Sequence, residues 1–168
     1  MSRSSLIPEA HLLLFREGEV LLLRRQNTGY EDGNFSVIAG HIEKDETATS
    51  GMLREALEEA GLEIEPRHLR FCHVVHRKAK DERVSFFFAA SHWSGEPRNL
   101  EPHKCSELTW FKTSALPPNM VGYVRQAIEK VLAGEFYSEY GWAQPIAAAD
   151  GPAFGGPPLR ALRARRRG

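Results

Sequence analysis

The stretch Gly40 to Leu62, GHIEKDETATSGMLREALEEAGL, constrains this chain more than any other part of it. It starts at a glycine that ends an apolar run and passes through a charged loop. It then enters a helix-forming segment that carries Arg54, Glu55, Glu58 and Glu59 and stops at Gly61. At about 100° per residue, Glu55 and Glu59 lie one turn apart, with Glu58 beside them. Three carboxylates therefore share one edge of the helix, where they could hold a divalent cation. Met52, Leu53, Ala56, Leu57 and Ala60 fall on the adjoining arc, which is expected to face a core. Gly51 sits among the carboxylates, at a helix-interior position where glycine costs about 1 kcal/mol against alanine. It is expected to leave room for a metal or a phosphate. Asp45 or Thr47 can serve as N-cap, and Gly61 suits a left-handed C-terminal cap.

An acidic helix edge is ordinarily a solvated face, because charged residues mostly sit outside. The spacing argues otherwise. The fixed positions read G-x5-E-x7-R-E-U-x-E-E-x-G-U, where U is apolar. With each residue type at about 5–10% of ordinary chains, a chance match is on the order of one in 10⁸ per starting position. The segment resembles the signature of the Nudix hydrolases, with no fixed position missing.

The remaining sequence is compatible with an α/β domain. His11–Phe15 and Val20–Arg24 are apolar runs joined by Arg-Glu-Gly-Glu, a predicted hairpin with Gly18 in the turn. Both runs are nearly continuous, as in strands covered on both faces. Phe35–Ala39 is a predicted short strand leading to Gly40. Leu69–Arg77 and Arg83–Ser91 are two more strands around a charged turn. His73 and His76 fall on opposite faces of the first of these, so they cannot share an ion. A long polar loop, Trp93–Ser106, precedes a strand at Leu108–Lys112. Asn119–Leu132 reads as an amphipathic helix with Met120, Val124, Ile128 and Val131 on one face. These elements predict one domain over residues 1–137. Residues 138–168 form a C-terminal extension in which YSEYGW can still pack on the domain. The Ala/Gly/Pro/Arg-rich remainder is expected to be largely disordered.

Composition excludes some classes. The chain has 168 residues and a formal net charge of zero, so nothing draws it globally to nucleic acid or to a membrane surface. No apolar run approaches a membrane span, and MSRSSLIPEA lacks the apolar core of a secretory signal. Cys72 and Cys105 make no C-x-x-C pair, which argues against a zinc site or a disulfide framework. A cytoplasmic protein is expected. A small-molecule partner is expected rather than a nucleic acid, with a homodimer left open. The terminal arginine cluster is read as a solvated basic tail.

The resemblance implies more. It implies an α/β/α sandwich, with a mixed β-sheet between helices, over roughly Leu6–Leu132. It implies hydrolysis of a phosphoanhydride bond in a nucleoside diphosphate linked to another group, with Mg2+ or Mn2+. Carried over by position, Glu55 and Glu59 are metal ligands and Glu58 is a further ligand or the general base. The Gly40 carbonyl is another ligand, Arg54 holds the glutamates, and Glu46 supports the loop. Many relatives recruit a glutamate from outside the motif, for which Glu101 and Glu107 are the candidates here. His41 stands where many relatives have glycine and is read as a loop histidine. Phe35, Phe87 and Trp110 could stack on a base, although a core or edge role suits each of them better. No proline follows the motif at the position that marks many ADP-ribose hydrolases. The default substrate is therefore a nucleoside triphosphate, with dinucleoside polyphosphates and nucleotide sugars still open. The alternative is a non-catalytic nucleotide-binding regulatory module on the same fold, against which the intact Arg54, Glu55, Glu58 and Glu59 argue.

Overall fold

A computed structural model describes residues 5–143 of the chain. Eight strands and two helices follow in the order β1 (Leu6–Arg16), β2 (Glu19–Arg25), β3 (Phe35–Ser36), β4 (Ile38–His41), α1 (Ala48–Ala60), β5 (Leu69–Lys78), β6 (Glu82–Ala90), β7 (Cys105–Lys112), α2 (Gly122–Leu132) and β8 (Tyr137–Tyr140). The extension expected after residue 137 begins inside β8, so the sheet runs three residues past that boundary. Trp142 also donates its indole N–H to the His76 carbonyl. The Ala/Gly/Pro/Arg-rich segment lies outside the described residues.

The β1–β2 hairpin turns on Glu17 and Gly18, both at positive φ, which suits the twist of a two-residue hairpin. The two strands pair only at Phe15–Val20 and Arg16–Glu19 and then diverge. From there β1 joins β6 in parallel over Leu6–Leu14, with β4 antiparallel on its other side. β2 pairs antiparallel with β3 and β7. β5 lies antiparallel to β6 and parallel to β8. The divergence explains why the predicted strand Phe35–Ala39 is broken. Its first half pairs with β2 and its second half with β1, and a chain serving both must bend at Val37.

The two helices cover opposite faces, and the period of two along the strands sorts the core. Ala10, Leu12 and Leu14 of β1 join Phe88 and Ala90 of β6 and the α1 residues Met52, Ala56 and Ala60. Leu13 of β1, Phe87 and Ala89 of β6, and Val75 of β5 join the α2 residues Val124, Ala127, Ile128 and Val131. This is the α/β/α sandwich with a mixed sheet, and it accounts for the continuous apolar runs in β1 and β2.

Some expectations need correcting. Leu57 was placed on the core arc of α1 but is half exposed. The buried stripe runs through Met52, Ala56 and Ala60, and Leu57 lies just past its edge. The second helix begins at Gly122 rather than Asn119, because Met120 forms a bridge to Phe35 before the helix starts. β7 starts three residues earlier than predicted. β8 was not predicted as a strand.

The exposure difference sets a stability expectation. Met52→Ala should cost about 2–5 kcal/mol by leaving a cavity between α1 and the sheet. Leu57→Ala should stay within about 0.5 kcal/mol. Urea denaturation of the two variants checks this, and comparable losses would contradict the packing.

Candidate active site

The motif helix is held at both ends by its own sequence. Thr47, not Asp45, is the N-cap, its Oγ1 accepting from the Ser50 N–H. Gly61 adopts φ 66° and donates to the Leu57 carbonyl, while Leu62 donates to that of Ala56. The loop Trp93–Ser106 is tied to the end of this helix. Arg98 and Leu100 donate their backbone N–H groups to the Ala60 and Glu59 carbonyls. That strap places Glu101 opposite the helix, with Lys104 donating to its Oε1 at 2.9 Å.

Arg54 is the hub of the motif. Its Nε and Nη2 donate to the two Glu46 oxygens at 2.9 and 3.0 Å. Its Nη1 donates to Glu55 at 2.6 Å and to Glu58 at 3.2 Å, and Nη2 also reaches the His41 carbonyl. Through these bonds the guanidinium holds the Glu46 carboxyl below the usual carboxylate range. Glu46 in turn accepts from the Glu43 N–H, closing the loop before the helix.

Two glycines make this arrangement possible. A Cβ on Gly40 would fall 1.9 Å from the Glu55 carboxylate. A Cβ on Gly51 would lie 2.9 Å from Glu46 Oε2. The expectation that Gly51 leaves room for a metal or a phosphate is therefore corrected, because the space is filled by the Glu46 carboxylate.

A cleft of about 660 Å³ opens beside this hub. Gly40, Glu55, Glu59, Glu101 and Lys104 line one end of it. Glu58 is not part of the lining and lies on the exposed flank, held by Arg54. Glu107 is exposed on β7 opposite Arg24, also outside the lining. Phe35 packs edge-on against Phe111, Phe87 is fully buried, and Trp110 lies beneath the Arg16 guanidinium. None of these three rings reaches the cleft. His73 bonds to Ser138 and the Glu135 carbonyl, and His76 packs on Trp142, both away from the site. His41 sits at the rim, its Nε2 3.7 Å from Glu9 Oε1.

The acidic end holds three carboxylates and one lining cation, Lys104, which is engaged with Glu101. Burial, with the charges of Glu55 and Glu101 added, pushes the Glu59 carboxyl up to about 8, against a single bond from the Ala39 N–H. Among the described residues, no three His, Cys, Asp or Glu side chains form a ready-made cage for an ion. An ion here would complete its shell with water and phosphate oxygens, which is the habit of Mg2+. The oxygen-only donor set fits such a hard cation.

The other end of the cleft was missed from the sequence. Glu9, His11, Arg77, Arg83 and Tyr123 are joined there by their contacts, and Ser36 and Tyr30 also line the cleft. Burial alone would push the Glu9 carboxyl up, but His11, Arg77 and Arg83 outweigh it and hold Glu9 at about 2. Burial lowers His11 to about 4, so at neutral pH the two arginines do this work. The available signal was a charged residue and a histidine two apart in an apolar strand, Glu9 and His11. They share a face, and only the fold shows which partners meet them.

The NUDIX domain model matches residues 6–131, three quarters of the chain. The chain belongs to the Nudix family. It is 27% identical over 124 residues to the NAD-capped RNA hydrolase NudC of Escherichia coli O157:H7, covering 73% of this chain and 46% of that protein. It is 27% identical over 110 residues to the oxidized purine nucleoside triphosphate hydrolase of Mus musculus, covering 63% of this chain and 67% of that one. The Nudix protein thus spans about half the length of NudC. A MutT Nudix hydrolase from Burkholderia pseudomallei superposes with a TM-score of 0.70 at 27% identity, over 76% of this chain and 99% of that one. The ORF135 protein of E. coli shares the fold at a TM-score of 0.66 and 20% identity, over 77% and 91% of the two chains.

The Glu59 carboxyl sets a pH expectation. Its pKa is raised on folding, so the folded state binds more protons than the unfolded one between about 4.5 and 8. Stability must then fall as pH rises through that window. Melting curves of metal-free protein at pH 5 and pH 8 should show a drop that Glu59→Gln reduces, and an unchanged drop would refute the assignment. Gly40→Ala should lower Tm and activity together, because its methyl group displaces Glu55.

Proposed function

We propose that this Nudix protein is a metal-dependent hydrolase that cuts a phosphoanhydride bond in a nucleoside diphosphate linked to another group, with nucleoside triphosphates as its substrates. The observation that carries the reading is the charge division of one cleft. Its acidic end holds three carboxylates and one lining cation, and its opposite end is rich in guanidinium groups. A nucleotide is polar along the same axis, with its polyphosphate at one end and its base at the other. The mouse relative, an oxidized purine nucleoside triphosphate hydrolase by name, supports the triphosphate choice, since the match spans 67% of its length.

Gly40 through its carbonyl, and Glu55, Glu58 and Glu59 through their carboxylates, are the groups that would hold Mg2+ or Mn2+. When bound, the ion neutralises the pyrophosphate and acidifies a water. Arg54 keeps Glu55 and Glu58 in register and offsets their mutual repulsion. Glu101, fixed by the strap and by Lys104, faces the acidic end from the opposite wall and is the base in this reading. It takes the proton of the attacking water as the water oxygen bonds to phosphorus, and the α–β phosphoanhydride bond breaks in line, the bridging oxygen leaving with pyrophosphate or with the nucleoside monophosphate. Glu58, held on the flank, is assigned as a ligand.

The test is product release from a panel of triphosphates, oxidised triphosphates, dinucleoside polyphosphates, ADP-ribose and nucleotide sugars, with Mg2+ or Mn2+. Pyrophosphate from triphosphates, abolished in Glu59→Gln, is the expected result. Glu101→Gln should lower kcat by about 10²–10⁴-fold with KM little changed. Nucleotide binding without turnover of any compound would instead make the protein a regulatory module.

A further inference from the structure

We propose that the guanidinium end of the cleft reads a hydrogen-bond-accepting oxygen at the far end of the substrate, with Arg77 and Ser36 as the specificity-determining residues. This rests on the reading of the cleft as a nucleotide site and goes further by naming which nucleotides it prefers.

The site is built across three strands. Arg77 of β5 donates from Nη2 to Glu9 Oε2 at 2.6 Å and from Nε to Ser85 Oγ of β6 at 3.2 Å. Ser85 donates onward to the same Glu9 oxygen, and Arg83 Nη1 donates to the other. The Arg77 guanidinium lies 4.2 Å over the Tyr123 ring, and that hydroxyl bonds to His11 Nε2. Glu9, Arg77, His11 and Tyr123 are each less than 10% exposed. The carboxylate is consumed by three donors, so it offers a ligand little.

The donors are not all consumed. Among the described residues, Arg77 Nη1 makes no hydrogen bond, and neither does Ser36 Oγ, although both residues line the cleft. His11 Nδ1, in the same wall, is buried without a partner. A purely structural ion pair would be expected to use its whole fork, because an unmade bond on a buried charged group is costly. Here one arm of a nearly buried guanidinium is left unbonded in a residue that lines the cavity. Around it, Arg25, Lys80 and Arg83 line the same cleft with the carboxylates of Glu9, Glu43 and Asp81.

Such a site prefers an acceptor and rejects a donor. An exocyclic amine would meet the N–H groups of Arg77 donor to donor. A keto oxygen would accept from them, as guanine O6 does in the arginine pairing that is the commonest base-specific contact. A second phosphate would satisfy the same chemistry with its own oxygens. The shared requirement is the acceptor oxygen, and binding experiments separate its two sources.

The experiment is calorimetric titration of metal-free protein with GMP, UMP, AMP, CMP, and the 3′,5′-bisphosphates of guanosine and adenosine. No turnover is needed. If the oxygen belongs to a base, GMP and UMP should bind about tenfold more tightly than AMP and CMP. If it belongs to a phosphate, both bisphosphates should bind about tenfold more tightly than their monophosphates. Arg77→Lys keeps the charge beside Glu9 but removes the planar fork, and it should bring the preference close to unity. Ser36→Ala should reduce the preference without unfolding the protein, and it decides the matter if Arg77→Lys does not fold. Equal binding of all six ligands, or a preference that survives in both folded variants, overturns the subsite and leaves the hydrolase standing. Failure of every nucleotide to bind overturns the subsite, while the hydrolase reading stands or falls by the turnover panel with metal.

Discussion

The site depends on one guanidinium. Arg54 bonds Glu46, Glu55 and Glu58, and it also reaches the loop carbonyl of His41. Three carboxylates along one helix edge repel one another and would favour dispersal into solvent. A single planar cation among them supplies opposite charge and fixes directions, and its fork geometry suits this better than a lysine would. The loop 40–46 is shaped by the same contact, since Glu46 is gripped from one side by Arg54 and accepts from the Glu43 N–H on the other. Loop and helix are therefore positioned by the same interaction. Glu59 is the carboxylate that Arg54 does not reach, and burial beside Glu55 and Glu101 raises its pKa.

Close packing of the hub explains the glycines. Gly40 and Gly51 approach the carboxylates of Glu55 and Glu46 so closely that a methyl group at either would collide. Gly51 carries the usual glycine cost in a helix. The structure offsets that cost with the Arg54–Glu46 pair that the missing side chain admits. The stretch 40–62 is thus a small self-assembling unit. Its caps, its glycines and its charge pairs all lie within 23 residues, and each requires the others.

That locality is why the motif could be read from the sequence while half of the cleft could not. Spacing of four residues on a helix brings side chains together, so the shared edge of Glu55 and Glu59 and the meeting of Arg54 with Glu58 followed from the order of residues. Cover on both faces of β1 and β2 was legible from their continuous apolar runs, while the sandwich itself was implied by the family resemblance. The Glu9 cluster has no such spacing. Its members come from positions 9, 77, 83 and 85, and what joins them is the parallel pairing of β1 with β6 and the antiparallel pairing of β5 with β6. No local period encodes a register between strands so far apart in sequence. Gly51 misled in the opposite sense, since a gap beside carboxylates looks the same in sequence whether an ion or a side chain fills it.

The placement of both ends on one cleft follows from β1. Its period of two puts Ala10, Leu12 and Leu14 under α1 and His11 and Leu13 under α2. The same strand pairs with β4, which ends at Gly40 and His41 beside the motif, and with β6, which carries Arg83 and Ser85. Glu9 pairs with His41 on one side and Ser85 on the other. A single residue step along β1 therefore joins the acidic motif end to the guanidinium end. Two charge environments that would neutralise each other if merged are kept apart by the width of one strand. A substrate that spans the strand must carry complementary groups on either side of it, and a shift of the β1 register by one residue would abolish both ends together.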